Sequence, residues 1–521
     1  MFWRARLRTA TGGLAVTAVV WFKRDLRIRD HQPLSAAADA GPVIPLYIHE
    51  PDLINAPDWA AQHSAFAREC LDSLNRSLTE RGAPLIERIG NAVDVLDELH
   101  TLHQFTTLYS HEETGNALSY GRDRAVRKWC VSAGVRWIQT PQNGVIRGAS
   151  EARKKRDWLA EMEEYSSSEP VKAPRAIEAA IATVVTPSAQ SIPCGAGIDK
   201  TLRLRGGREA AIAALTDFFT QKVRRYPKSV SSPLSAEKGC SRLSPYLSFG
   251  VLSVREIVLA INRRLQSPDL VQESPTRDHM INVMRFYADR LKWRSGYLQN
   301  LENMPSLEHD NIDPQMDGLR EREFDAVKFA AWKEGRTGYP MVDASMRMLI
   351  ATGWLNMRMR GMLMSFAANE LWLHWREPGV YLAQQFLDYE PGIHYNQLQI
   401  HSCTAGSTHF LSYNPVKQAR DLDADGTFVR RWNPELANVP SAFIFEPWLM
   451  PADVQIACGV VIGTNYPTPI VDHVAAGRRA RDRISAARNG STLGMSSRRI
   501  DTENNKANNT ANGDAIQSSL I

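Results

Sequence analysis

Three stretches carry residues whose types and spacing can do chemistry. The first is Trp354-Leu355-Asn356-Met357-Arg358-Met359-Arg360, which sets two arginines at i and i+2 among large apolar side chains. The second is Asp388-Tyr389-Glu390-Pro391-Gly392-Ile393-His394-Tyr395, a carboxylate-bearing loop with Pro-Gly at its middle. An arginine drawn into an interior needs a carboxylate to offset its desolvation, and Asp388 or Glu390 is a natural partner. Taken alone, that is a structural ion pair between helix and loop. The third stretch is Gly239-Cys240-Ser241-Arg242-Leu243-Ser244-Pro245-Tyr246-Leu247. Its serines offer hydroxyls, and the helix starting at Pro245 offers free backbone N–H groups to a phosphate. Ser-x-x-Ser-Pro is equally an ordinary helix N-cap.

The elements that must position these groups are of two kinds. Short β-branched runs at 16–22, 43–48, 84–89, 106–109 and 135–139 alternate with helical patterns at 62–81, 92–102 and 118–132. Strand–helix alternation predicts βαβ units and a parallel, Rossmann-like sheet, with ligands outside the carboxyl ends of the strands. Lys23-Arg24-Asp25 and His111-Glu112-Glu113 fall at that edge. Farther on, amphipathic patterns at 210–219, 254–265, 278–300, 325–334, 342–352, 355–375 and 379–387 predict an all-helical half. The expected division is an α/β domain at 16–145, a Ser-, Pro-, Glu- and Lys-rich connector at 146–200, an all-α domain at 201–470 and a mostly disordered tail at 471–521, with a short basic helix before Asn489. Residues 1–11 carry arginines without acids and read as a loose extension before the first strand rather than a targeting peptide.

Composition narrows the class. With 62 Lys and Arg against 57 Asp and Glu, a net charge of +5 permits a polyanion partner without demanding one. Six scattered cysteines without a C-x-x-C pair argue against structural zinc, an iron–sulfur centre or any metal site, and suit a reducing cytoplasm. No run of about 18 apolar residues predicts a membrane span. The 13 tryptophans suit a large core and would also serve light-driven electron transfer.

The three stretches resemble the photolyase and cryptochrome family of light-driven flavoproteins. Val20-Trp21-Phe22-Lys23-Arg24-Asp25-Leu26-Arg27, Glu334-Gly335-Arg336-Thr337-Gly338-Tyr339-Pro340, Asn414-Pro415, Phe428-Val429-Arg430-Arg431-Trp432-Asn433-Pro434-Glu435-Leu436 and Glu446-Pro447-Trp448 extend the similarity over roughly residues 17–470. The resemblance implies FAD in the helical half and an antenna chromophore, pterin/folate or deazaflavin, in the α/β half. It implies FAD phosphate binding by Tyr226, Cys240, Ser241, Arg242, Leu243 and Ser244. Arg360 and Asp388 become the ion pair beside the flavin, with Tyr389 in the same loop, and Glu390 accepts the ring N3–H. His394 faces N5, where the best-known photolyases carry asparagine, and becomes a candidate proton donor.

Substrate handling departs from the family pattern. Trp293 matches one wall of the pocket that receives a flipped-out lesion. The opposite wall falls on Ile400, a base-binding glutamate falls on Arg290, and an asparagine falls on Met357. Arg290, Lys292, Trp293 and Arg294 become the expected contacts to DNA. Trp375 matches the middle member of the family's tryptophan relay, whose proximal position is Leu398, so Trp372, Tyr389 and Tyr395 are alternative carriers. The implied function is a cytoplasmic, monomeric DNA photolyase that splits pyrimidine dimers in ultraviolet-damaged DNA. The alternatives are a blue-light receptor of cryptochrome type or repair of (6-4) photoproducts.

Overall fold

In the computed structural model, residues 17–148, 156–181, 187–267, 270, 275–406 and 410–495 are described. Five strands, β1 (Ala18–Phe22), β2 (Val43–His49), β3 (Ile86–Ile89), β4 (Thr107–His111) and β5 (Arg136–Thr140), form one sheet in the order β3-β2-β1-β4-β5. All four pairings are parallel. The run Ala-Val-Val-Trp-Phe of β1 is buried along its whole length, which fits its central place between two helical layers. On one face Val19, Trp21, Ile44 and Leu46 pack with residues of the helices Ala92–His103 and Ala117–Ala133. Those helices start at Asn91 and Asn116, whose side chains accept the N–H groups of Val93 and Ser119, caps worth about 1 kcal/mol each. On the other face Val20 and Phe22 join a core continuous with the helical half.

The helical half is built on Pro275–Asn303, Pro340–Thr352, Met357–Ser365, Arg376–Gln385 and Pro391–His401. The single helix expected over 355–375 is interrupted. After Ser365 comes a π turn, Phe366–Glu370, and Trp372 then adopts φ 59°. Buried Arg320 accounts for the break: its Nε donates to Ala368 O at 3.0 Å, taking a carbonyl that a continuing helix would use, and its Nη2 donates to the Asn369 side chain at 3.1 Å.

The stretch expected to be a plain connector carries a helix, Arg156–Ser167, with Trp158 Nε1 donating to Gly144 O at 3.0 Å. Among the described side chains of that helix, Met162 is the buried anchor. The basic helix expected before Asn489 runs over His473–Met495 and buries Ala476, Ala480 and Ile484 at a spacing of four. The extension at 1–16 and the tail at 496–521 lie outside the described residues.

The two halves are stitched together at the carboxyl end of β1. Arg24 Nε donates to Ser248 O at 2.9 Å, Leu26 N to Phe249 O at 3.1 Å and Arg27 Nη1 to Gly250 O at 3.0 Å. Gly250 has φ +65°, and a Cβ there would stand 2.2 Å from Arg24 O, so the close approach requires glycine. Among the described residues no helix is long and apolar enough to cross a membrane.

Candidate functional site

The first two stretches do meet. Arg360 lies on the helix Met357–Ser365, and Leu387 N donates to Gly353 O at 2.9 Å, which brings the acidic loop alongside. Arg360 Nη2 donates to Asp388 Oδ2 at 2.8 Å and its Nε to Leu355 O at 2.7 Å, while the guanidinium covers Phe386 at 4.1 Å. Burial works against the charge on Asp388, but Arg360 outweighs it and holds the carboxyl below its ordinary pKa.

Beside this pair is a small cleft lined by Met357, Arg360, Met364, Phe386, His394 and His401. Asp388 Oδ1, Gln397 Oε1 and His401 Nδ1 at or near it, and Arg242 Nε, are buried without a protein partner. Each such atom costs about 1–3 kcal/mol unless something answers it. An apolar slot fringed by unanswered donors and acceptors fits a flat heteroaromatic ring.

His394 does not fit the role of proton donor. Its Nε2 lies 2.8 Å from Gly379 O, so that nitrogen carries the proton, and burial pushes the imidazole pKa down to about 4. The ring is neutral at physiological pH and presents Nδ1 as an acceptor.

The third stretch is more compact than expected. The helix past Ser241 is one turn, Ser244–Ser248, preceded by Leu243. Ser241 Oγ accepts the Tyr287 hydroxyl at 3.1 Å, and Arg242, at φ 56°, lays its guanidinium 4.2 Å from the centre of the Trp354 ring. Leu243 is core, and the Cys240 thiol is buried, its pKa pushed up to about 12 by burial. Tyr226 is also buried, edge-on to Phe218 at 5.6 Å and Tyr287 at 5.2 Å, so its ring packs the wall of this region.

Two expectations are corrected by burial and charge. Arg294, expected to contact DNA, points inward, 2.5 Å from Glu390 Oε1 and within bonding distance of Asn143 Oδ1 (3.1 Å) and Leu247 O (3.3 Å). Burial raises the Glu390 pKa, with Arg294 opposing. Lys292 stays outward, exposed and 2.7 Å from Glu163, whereas Arg290 is half-buried beside Tyr226 and lies 4.2 Å over Phe286 and 3.9 Å over Trp293. Trp372, expected as an electron carrier, is sandwiched between Arg320 at 4.5 Å and Arg483 at 4.3 Å. Positive charge on both faces opposes removal of an electron from the indole.

Tyr389, expected at the flavin, turns the other way. Its hydroxyl donates to Asp58 Oδ2 at 2.6 Å, and its ring lines a second cleft of about 700 Å³ at the carboxyl edge of the sheet. Phe22, Tyr47 and Trp59 supply aromatic walls there, and Lys23, Glu50 and Arg122 supply charge. Arg122 Nη1 donates to Glu50 Oε1 at 2.9 Å and Lys23 Nζ to Asp123 Oδ2 at 3.2 Å, with Glu113 bridging to Arg122. Asp58 was not singled out in the sequence; a lone aspartate gives no local signal.

Next to this cleft, Asp25 accepts from His31 Nε2 at 2.9 Å, His111 Nδ1 at 2.7 Å and Lys23 N at 2.7 Å. The three side chains have the ligand types of a metal site. Leu34 N, however, donates to His31 Nδ1 at 3.0 Å, which places the His31 proton on Nε2, facing the carboxylate. The cluster is a charged aspartate held by three N–H groups.

With this geometry in hand, comparison with known proteins is informative. Residues 18–162 match the family described as DNA photolyase, and residues 286–486 match the FAD binding domain of DNA photolyase. A deoxyribodipyrimidine photo-lyase of Salmonella typhimurium is 31% identical over 502 residues, spanning 91% of this chain and 99% of that protein. A bacterial class III photolyase from Agrobacterium tumefaciens superimposes with a TM-score of 0.80 at 26% identity, covering 92% of this chain and 99% of the other. An archaeal photolyase from Sulfolobus tokodaii, solved with two FAD molecules, gives 0.74 at 25% identity over 90% of this chain and 100% of the other.

Proposed function

The chain belongs to the DNA photolyase and cryptochrome family, and from that premise we propose that it is a light-driven DNA photolyase that splits pyrimidine dimers in ultraviolet-damaged DNA. The observation that carries the reading is the Arg360–Asp388 pair at the edge of a cleft whose buried polar atoms lack protein partners. Bound in the helical half, FAD in its reduced, light-excited form supplies the electron that opens the dimer. The protein's part is to bind, orient and tune.

Arg360 offers the cleft a cation, which favours electron-rich flavin, and Asp388 fixes the direction of that guanidinium. Asp388 Oδ1 and Gln397 Oε1 are free to accept N–H groups, and His401 Nδ1 adds a third unanswered position. Neutral His394 presents an acceptor and holds its ring by the bond to Gly379 O. Ser241, Arg242 and Ser244 are the groups we assign to the diphosphate, with Cys240, Leu243 and Tyr226 packing behind them. Glu390 acts indirectly, by fixing Arg294 against the loop.

For the substrate, Trp293 offers an aromatic face, Lys292 offers positive charge on the outward side of the helix Pro275–Asn303, and half-buried Arg290 adds a second cation beside the ring. The guanidinium of Arg290 covers that face and must swing aside before a base can stack on it. The sheet-edge cleft is the place we assign to an antenna chromophore. Its aromatic walls and the charged groups between them suit a ring system such as a deazaflavin, a pterin or a second flavin.

The test is the absorption spectrum of the purified chain, followed by illumination of the reduced protein with an oligonucleotide carrying defined cyclobutane dimers. Loss of dimers in light and not in the dark is the expected result. A chain that binds and cycles FAD but repairs no dimer is a light receptor or acts on another lesion, and the proposal falls.

A further inference from the structure

Between the two clefts lies a set of buried aromatic groups that the repair reaction does not use. His394, on the wall of the flavin cleft, touches Tyr389 at 5.1 Å and Tyr395 at 5.3 Å between ring centres. The two tyrosine hydroxyls stand 3.3 Å apart, and Tyr395 lies 6.3 Å from Trp375. Tyr389 and Tyr395 are 3% and 2% exposed, and Trp375 is closed to solvent, its Nε1 donating to Asn311 Oδ1 at 2.7 Å. Both tyrosines are thus one ring removed from the flavin cleft.

Tyr389 differs from an ordinary core tyrosine in its partner. Its single hydroxyl proton is directed at Asp58 Oδ2, 2.6 Å away, and the same oxygen accepts Asn116 Nδ2 at 3.1 Å. Tyr395 therefore supplies the proton of the contact between the two hydroxyls. Glu308 and Arg376 act on the pair from the next layer, with opposite signs on Tyr395. Asp58 is 6% exposed, so the carboxylate is held for the phenol rather than for water. Burial and the neighbouring carboxylate keep the Tyr389 phenol protonated far above its ordinary pKa. Such a phenol gives up an electron readily only if its proton leaves at the same time, and a base at hydrogen-bond distance receives it.

We propose that Tyr389, paired with Asp58, is this chain's internal one-electron donor for recharging its flavin in light, with Tyr395 and Trp375 as the onward path. The proposal rests on the flavin site described above. In the step, Tyr389 gives one electron to the photoexcited oxidised flavin and its phenolic proton to the Asp58 carboxylate. Tyr389 is left as a neutral radical and Asp58 as a neutral acid. The final reductant is an added thiol: its electron, relayed through Trp375 and Tyr395, returns the tyrosine to its resting state and leaves the thiol oxidised, and the proton comes back from Asp58. Trp372 stays outside this path because guanidinium groups cover both its faces.

The experiment uses the full chain loaded with FAD, illuminated with blue light without oxygen, with flavin content measured first. A chain that takes up no flavin overturns the site and this proposal together. With flavin bound, electron paramagnetic resonance of the illuminated, frozen sample is expected to show a neutral tyrosyl radical. Tyr389→Phe should abolish that signal and slow flavin reduction at least tenfold. Asp58→Asn keeps the phenol but removes its base; it should slow reduction similarly while flavin content is retained. Parental reduction rates in both variants, or a tryptophan radical as the first species in the parent, overturn the proposal while leaving the flavin site intact. Should Tyr389→Phe fail to hold flavin, Asp58→Asn decides alone.

Discussion

Arg294 Nη2 and Glu390 Oε1 meet at 2.5 Å, with 7% and 10% of their side-chain surfaces exposed, locking the helix Pro275–Asn303 to the loop before Pro391–His401. The pair sits behind the cleft rather than in it, so its work is to keep that loop in place.

Removing one partner leaves the other as a buried, unpaired charge, a loss of about 3–5 kcal/mol. Glu390→Gln and Arg294→Met are each expected to lower the unfolding free energy by that amount, read as a lower urea midpoint at unchanged slope. The double variant should recover part of the loss. A midpoint unchanged in Glu390→Gln would show that the pair carries no such weight.

Asp388→Asn keeps the shape of the loop but removes the charge facing Arg360. A hydrogen bond between charged groups contributes about 1.5–3 kcal/mol, so FAD retention should fall roughly tenfold or more. Flavin absorbance of the purified variant, compared with its thermal midpoint, separates lost cofactor affinity from lost fold.

His63, His394 and His401 are buried and each is pushed down to about 4 by burial. In the unfolded chain a histidine titrates near about 6.5. Between those values the unfolded state binds more protons, so stability rises with pH and falls on acidification. Unfolding followed from about pH 7.5 down to about pH 4.5 should show a steep decline, which His394→Gln makes shallower. A parallel decline in the variant would exclude His394 as a contributor.

Glu370 behaves oppositely. Closed in behind Ser412, whose Oγ donates to its Oε1 at 2.8 Å, it has its pKa raised to about 8 by burial. The folded state binds more protons than the unfolded one from about 4.5 up to that value, so stability falls as pH rises through the window. Glu370→Gln should flatten the loss between about pH 5 and pH 8. An equally steep loss in the variant removes Glu370 from the account.

Gly250→Ala tests the junction of the halves, since a Cβ there would meet Arg24 O at 2.2 Å and Asp25 Cα at 2.4 Å. The strained φ alone costs about 1 kcal/mol, and displacement of the 23–27 loop adds to it. A lower thermal midpoint and weakened occupation of the sheet-edge cleft should appear together.

The sheet was readable because β1 and most of β2 are apolar runs and the connections between strands carry helical periodicity. The Arg360–Asp388 pair was readable because a cation in an apolar run and a carboxylate loop each ask for a partner. Arg294 misled because Lys292, two residues earlier and about 200 degrees round the helix, is exposed, whereas Arg294 turns in toward Glu390. The break at Phe366–Glu370 was hidden because Arg320, which causes it, comes from a distant loop. Asp58 and His31 carried no signal, since their roles arise only when the sheet edge and the acidic loop come together.

The stitch between the 23–27 loop and the Ser248–Gly250 carbonyls has an evolutionary corollary. Neither half of the molecule is a free-standing module. A gene fragment encoding only the helices would expose a dry seam and strand three main-chain acceptors that arginines and a backbone amide now answer. Recombination that exchanges sheet portions among relatives is therefore constrained to carry the 248–250 turn along with the incoming sheet.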